Sequence, residues 1–161
     1  MSKSHFASAG VLVIALGLSG AAQAASPLSP LAGTWSGGGT LSTNDGQQER
    51  LRCRATYDVD GSGSEVNLNL RCASASYNFD LSGNAAYRGG AISGSWSESS
   101  RNASGTISGR ASGDRIEAAA RGDNFSASLS LTTQGNRQMV SIRPQGANVT
   151  AVSLSLSRGG R

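Results

Sequence analysis

From Leu51 to Leu81 apolar and polar residues alternate with a period of two, and this register constrains the fold more than any other feature of the chain. Leu51, Cys53, Ala55, Tyr57 and Val59 alternate with Arg50, Arg52, Arg54, Thr56 and Asp58. After Asp60-Gly61-Ser62-Gly63-Ser64 the pattern resumes with Val66, Leu68, Leu70 and Cys72, and then with Tyr77, Phe79 and Leu81. Such alternation puts every second side chain on one face of a strand, and the Asp/Gly/Ser cluster has the backbone freedom of a turn. Centring the first turn between Ser62 and Gly63 sets Cys53 opposite Cys72, Ala55 opposite Leu70, Tyr57 opposite Leu68 and Val59 opposite Val66. Centring the second between Ala73 and Ser74 sets Leu70 opposite Tyr77, Leu68 opposite Phe79 and Val66 opposite Leu81. All the apolar residues then share one face. The pattern predicts an antiparallel meander with a Cys53–Cys72 disulfide joining cross-strand neighbours.

Short alternating segments separated by turn signals continue along the chain, with almost no helical periodicity. Leu31 to Leu41 makes a first strand before Asn44-Asp45-Gly46; Ala85–Tyr87, Ile92–Trp96, Ala103–Gly109, Ile116–Ala120, Phe125–Leu131, Val140–Ile142 and Val152–Leu156 supply the rest. Pro144 belongs at an edge or a bend, because it lacks an N–H for a central ladder. The expectation is an all-β, antiparallel up-and-down meander of about ten or eleven strands closing into a barrel over residues 31–158. Its outer face carries Ser, Thr, Asn and Arg, the reverse of the apolar exterior that a membrane barrel requires. From Ala25 onward the chain holds 24 Ser and 19 Gly, a composition near that of disordered segments, yet a coil has no reason to keep two hairpins in register.

Residues 1–24 have the pattern of a secretory signal: Lys3 and His5, the apolar run Ala9 to Leu18, and the small-x-small site Ala22-Gln23-Ala24. That run is shorter than the about 20 residues of a membrane span. A periplasmic or secreted product follows, and an oxidising compartment suits the paired cysteines. Residues 25–30 and the tail 159–161 are expected to be loose. Lys3 and His5 are the only Lys and His, so the exported part carries 13 Arg, 10 acidic residues and a formal charge of 13 − 10 = +3. This excludes a His base, a Lys Schiff base, a His metal ligand and a P-loop Lys. No cofactor and no catalytic constellation is expected: a Ser nucleophile has no base, and Asp80, Glu98 and Glu117 read as outward. Asp58 to Glu65 shares residue types with a calcium loop but not its spacing. A charge of +3 without a basic run is too weak a field for nucleic acid.

Two features bear on function. The inward face holds Trp35, Tyr57, Tyr77, Phe79, Tyr87 and Trp96 among tiny residues such as Gly37, Gly39, Gly94, Gly105, Gly109, Ala118 and Ala120. Small residues beside aromatics leave a pocket for a small apolar ligand, or else let the walls meet in a solid core. On the outward face Arg52, Arg54 and Arg71 cluster, with Arg54 opposite Arg71; like charges so placed favour an anionic envelope component between them, or neutralisation by Asp80 and Glu49. The readings are thus an exported, non-enzymatic ligand-binding barrel, or an envelope interaction or inhibitor protein acting through its Arg-bearing face.

Gly33-Thr34-Trp35 resembles the G-x-W opening of the calycin barrels (lipocalins, fatty-acid-binding proteins, avidins). The resemblance implies that Trp35 closes one barrel end beneath a basic residue from a late strand, here Arg158. It departs from the avidin pattern at Gly37, where those proteins carry a ligand-binding Asn, and so implies a topology without a ligand. The segments Gly94–Gly105 and Gly135–Gly146 resemble small exported proteins of soil alphaproteobacteria, which implies export and no particular activity.

Overall fold

The computed structural model describes Gly20 and residues 25–159, so the expected signal segment lies outside the described residues except for Gly20. A short 3-10 turn, Ser29–Leu31, leads into ten antiparallel strands. These are β1 (Gly33–Thr43), β2 (Gln48–Val59), β3 (Glu65–Ala73), β4 (Asn78–Arg88) and β5 (Ala91–Glu98). They continue as β6 (Ala103–Ser112), β7 (Arg115–Gly122), β8 (Ser126–Gln134), β9 (Arg137–Gln145) and β10 (Val149–Arg158). Each pairs with its neighbours in sequence, and β10 pairs back onto β1, closing the barrel and leaving no free sheet edge.

The first hairpin has the expected register, with Cys53 opposite Cys72, Ala55 opposite Leu70 and Val59 opposite Val66. A disulfide joins Cys53 and Cys72 across a Cα–Cα distance of 4.1 Å. The second hairpin differs. Leu70 faces Leu81 rather than Tyr77, Leu68 faces Gly83, Val66 faces Ala85, and Phe79 sits opposite Cys72. The reason is the connection: Ser74 to Tyr77 form a closed loop, with Ser74 N–H donating to the Tyr77 carbonyl (2.8 Å) and Tyr77 N–H to Ser74 Oγ (3.0 Å). Glu49 fixes that loop by accepting from Ser74 Oγ (2.6 Å) and Ser76 N–H (3.1 Å). Because the slip is even, the inward set is unchanged, which is why alternation alone could not detect it.

Ala85–Tyr87 is not a separate strand but the end of β4. Pro144 stands past the last β9–β10 rung, Ile142 opposite Val152, while still facing Ala127 of β8. The expected loose segment 25–30 is instead packed: Leu28 is 1% exposed, and Ser26 Oγ donates to the Gly63 carbonyl in the β2–β3 turn. Apolar burial of Leu28 and Leu31 against the barrel end outweighs the turn-like composition around them.

Closure demands sharp local bends, and inward glycines provide them. A Cβ at Gly39 would lie 1.7 Å from the Ser153 carbonyl oxygen, and one at Gly105 would lie 1.7 Å from that of Arg121. The neighbouring backbone occupies the space a side chain would need. Gly39→Ala is therefore expected to lower stability by about 3 kcal/mol, the upper part of the usual overpacking range. Gly61→Ala, with open space around it, should stay within about 0.5 kcal/mol of the parent. Urea melts of the two variants check this, and equal midpoints would contradict it.

Candidate functional site

The two ends of the barrel are built differently. At the end where β1 starts and β10 finishes, Leu28 and Leu31 lie under the strand ends, 1% and 3% exposed, and plug the opening. Trp35, fully buried, donates its indole N–H to the Leu31 carbonyl at 2.7 Å. The Arg158 guanidinium lies over the Trp35 ring, 4.4 Å from its centroid, and donates to the carbonyls of Ala32 and Pro30. Above the plug, the buried Tyr57 hydroxyl donates to Gln138 Oε1 (2.9 Å), and Gln138 Nε2 donates to Thr133 Oγ1 (3.3 Å). Burial pushes the Tyr57 hydroxyl well above its ordinary pKa, partly offset by the bond to Gln138, so it stays a neutral donor.

The barrel interior is asymmetric. Inward Leu41, Leu51, Ala55, Leu154 and Leu156 of β1, β2 and β10 are at most 3% exposed. On the opposite wall, inward Leu81, Ile107, Leu129, Leu131, Val140 and Ile142 are only partly buried. These side chains pack against the buried core, and the same wall also carries the buried Ile92, Trp96, Ala120 and Ala127. At inward Gly94, Gly105 and Gly109 the neighbouring strand's backbone already occupies the place of a Cβ.

The other end is a mouth rimmed by aromatic side chains. Tyr77 and Phe79 stack in parallel with centroids 6.4 Å apart, and Trp96 packs edge-on to Phe125 at 5.4 Å. Tyr77, Phe79 and Phe125 are half-buried. Asn148 Nδ2, from the β9–β10 loop, reaches over the β1–β2 turn to donate to the Tyr77 hydroxyl (2.7 Å). The Trp96 indole lies over Gly105 and Gly122, where added Cβ atoms would come within 2.9 and 3.2 Å of it. Its Nε1 is the one buried side-chain polar atom without a partner among the described residues.

Glu98 also belongs to the mouth, and it corrects the expectation that its carboxylate is outward. It shares the inward parity of Gly94 and Trp96 and is 7% exposed. It accepts from the N–H of Asp80 (2.9 Å) and of Arg101 (2.9 Å) and from the Ser100 hydroxyl, with the Arg101 guanidinium 3.4 Å away. Arg101 in turn lies 4.9 Å from the Phe79 ring centroid. Burial alone would raise the Glu98 pKa, but these hydrogen bonds and the Arg101 charge outweigh it and hold the carboxyl below its ordinary value. The carboxylate is thus a cap for the β5–β6 turn.

The aromatic set expected to line one pocket is divided. Trp35, Tyr57 and Tyr87 lie at the plugged end, whereas Tyr77, Phe79 and Trp96 lie at the mouth. Alternation in β9 runs through Val140 and Ile142, so it also puts Gln138 inward, a signal available in the sequence but obscured by its polarity. On the outer face Arg54 stands opposite Arg71, but Arg71 pairs with Asp80 (3.4 Å). Arg52 and Arg54 make no ion pair among the described residues, and Arg50 extends the same file. Asp60 is a turn-former: it accepts from the N–H of Ser64 and Glu65 and from the Ser62 hydroxyl, which hold its pKa at about 2. A groove of about 480 Å³, lined by Arg110, Ala119, Ser128, Leu129, Ser141 and Arg143 among others, lies on the outer wall.

Two solved structures share this architecture. The chain superposes on Rv2717c from M. tuberculosis with a TM-score of 0.66 at 15% identity, over 83% of this chain and 95% of that one. It is also similar to the S-type phycobiliprotein lyase CPES from Guillardia theta, with a TM-score of 0.61 at 12% identity over 83% and 91% of the two chains. The fold is a calycin-like barrel. Its sequence matches no family model and no curated protein.

Glu98→Gln is expected to lower stability at neutral pH by roughly 1–3 kcal/mol, the scale for a buried charge-assisted network left half-made. Because the folded-state pKa is depressed, the carboxylate's contribution is complete above the ordinary carboxyl range and fades as pH falls through that range toward the folded value. Chemical melts from neutral to acid pH should show a flatter acid limb for the Gln variant. Parallel limbs would contradict the assignment.

Proposed function

We propose that the protein is an exported, non-enzymatic barrel that binds a small, apolar molecule in its lumen. The observation that carries this reading is a closed ten-stranded barrel whose inner face bears aliphatic side chains that are only partly buried, Leu81, Ile107, Leu131, Val140 and Ile142. Apolar surface that is incompletely buried is the surface an apolar ligand would cover, at about 25 cal/mol per Å² removed from water. The plug at one end and the aromatic rim at the other make the mouth the route of entry. Export is supported by the sequence of residues 1–24 and by a disulfide, which persists in an oxidising compartment. The non-enzymatic reading rests on chemistry: residues 25–161 contain no His and no Lys, and both cysteines are joined. One structural neighbour is a lyase by name, but at 12% identity that likeness concerns the fold alone.

Titration with the neutral fluorophore N-phenylnaphthylamine should give a saturable rise in emission. Ile107→Trp, which enlarges an inward side chain midway along β6, should abolish the rise while leaving a cooperative melt. A flat titration of the parent protein contradicts the proposal.

A second reading, an interaction with an anionic envelope component, draws on the outward file Arg50, Arg52 and Arg54. Their Cα atoms follow one another on β2 at about 7 Å spacing, beside Thr40, Gly38 and Ser36 of β1. Arg52→Ala with Arg54→Ala is expected to weaken retention on a sulfated resin at low ionic strength, and the difference should vanish at high salt. Retention unchanged by the double substitution would remove this reading.

A further inference from the structure

We infer that the groove on the outer wall, across β6 to β9, binds an acidic polysaccharide: a uronate chain whose carboxylates meet Arg110 and Arg143 and whose hydroxyls meet the serines between them. Strand register builds the site. One outward row runs Arg110, Glu117, Ser130 and Ser141, and the next runs Ser108, Ala119, Ser128 and Arg143. Arg110 and Arg143 therefore stand at opposite corners of the patch. Three strand spacings and one two-residue step put their Cα atoms about 16 Å apart along the sheet. Apart from Glu117, every side chain in these rows between them is Ser or Ala. Long side chains at two corners of a short-side-chain floor give a concavity of about 480 Å³ on a barrel exterior that is otherwise convex.

The charges in the groove are unequally committed. Glu117 accepts two hydrogen bonds from Arg115 on its own strand, at 3.0 and 2.6 Å. Arg110, although opposite Glu117, makes no ion pair among the described residues, and neither does Arg143. Both guanidiniums are exposed, and each presents the planar fork that takes a carboxylate through two parallel hydrogen bonds. Two such forks at this separation suit an anion that repeats along a chain better than one small anion. Ser108, Ser128, Ser130 and Ser141 supply hydroxyls that both donate and accept, as the hydroxyls of a sugar require. No aromatic side chain lines the groove, so a nucleic acid finds no platform for its bases. The site stands apart from the lumen, and from the Arg50–Arg54 file, since β2 lies opposite β7 in the closed strand order.

The test is calorimetric titration of the full-length exported protein at low ionic strength with a galacturonate decasaccharide, its methyl-esterified counterpart and a deoxythymidine decamer. The galacturonate should bind, and the neutral ester and the nucleic acid should bind about tenfold or more weakly. Arg110→Ala with Arg143→Ala should weaken galacturonate binding about tenfold or more. Arg71→Ala with Arg88→Ala, which removes the same charge from β3 and β4, should leave it within about twofold. Ser128→Tyr keeps every charge but fills the floor, and should also weaken binding about tenfold. Equal losses from the two double variants, or binding indifferent to Ser128→Tyr, would reduce the effect to diffuse charge and overturn the inference. Tighter binding of the thymidine decamer, or no binding of galacturonate by the parent protein, would overturn it as well.

Discussion

Everything in this molecule depends on the hydrogen-bonded ladder between β1 and β10. It joins the two ends of the meander, so no strand is left with unpaired backbone groups, and it obliges all ten strands to curve together. The curvature is bought at inward glycines. At Gly39 and Gly105 a neighbouring carbonyl oxygen occupies the position of a Cβ, so the sharpest bends exclude side chains from the inner face. Closure thus brings neighbouring backbone into the place that side chains would take at these positions.

The barrel has two ends, and the chain treats them unequally. Leu28 and Leu31 seal one, with Trp35 anchored on the Leu31 carbonyl and Arg158 laid over its ring. The other keeps half-buried Tyr77, Phe79 and Phe125 at its rim, fastened by the Glu98 cap and the Asn148–Tyr77 bond. The disulfide ties β2 to β3 on the well-packed side, across a sequence separation of 19, and in the chain-entropy picture contributes about 3 kcal/mol. The most completely buried leucines of the strands thus lie on β10, β1 and β2.

Alternation revealed the class of fold, the inward set and the cysteine pair, because a period of two is a direct image of a strand with one wet face. It did not reveal the second hairpin's register, since a slip by an even number leaves every residue on its own face. The packing of residues 25–30 was hidden because two leucines among Ser and Pro look like a linker until a barrel end exists for them to fill. Glu98 and Gln138 share one feature: their parity is inward, but their polarity suggests the outer face. Both are satisfied by partners distant from them in parity or in sequence, Asp80 and Arg101 for one, Tyr57 and Thr133 for the other. The division of the aromatics between two ends was likewise not visible, because strand parity gives the face of a residue and not its height in the barrel.

The central claim is that the apolar inner face takes up a small molecule, and diffraction from crystals pressurised with xenon addresses it most directly, since xenon settles in apolar cavities. Xenon density is predicted inside the barrel, against Ile107, Leu129 and Leu131 and away from Leu154 and Leu156. An interior without xenon, with those side chains meeting across the axis, would contradict it.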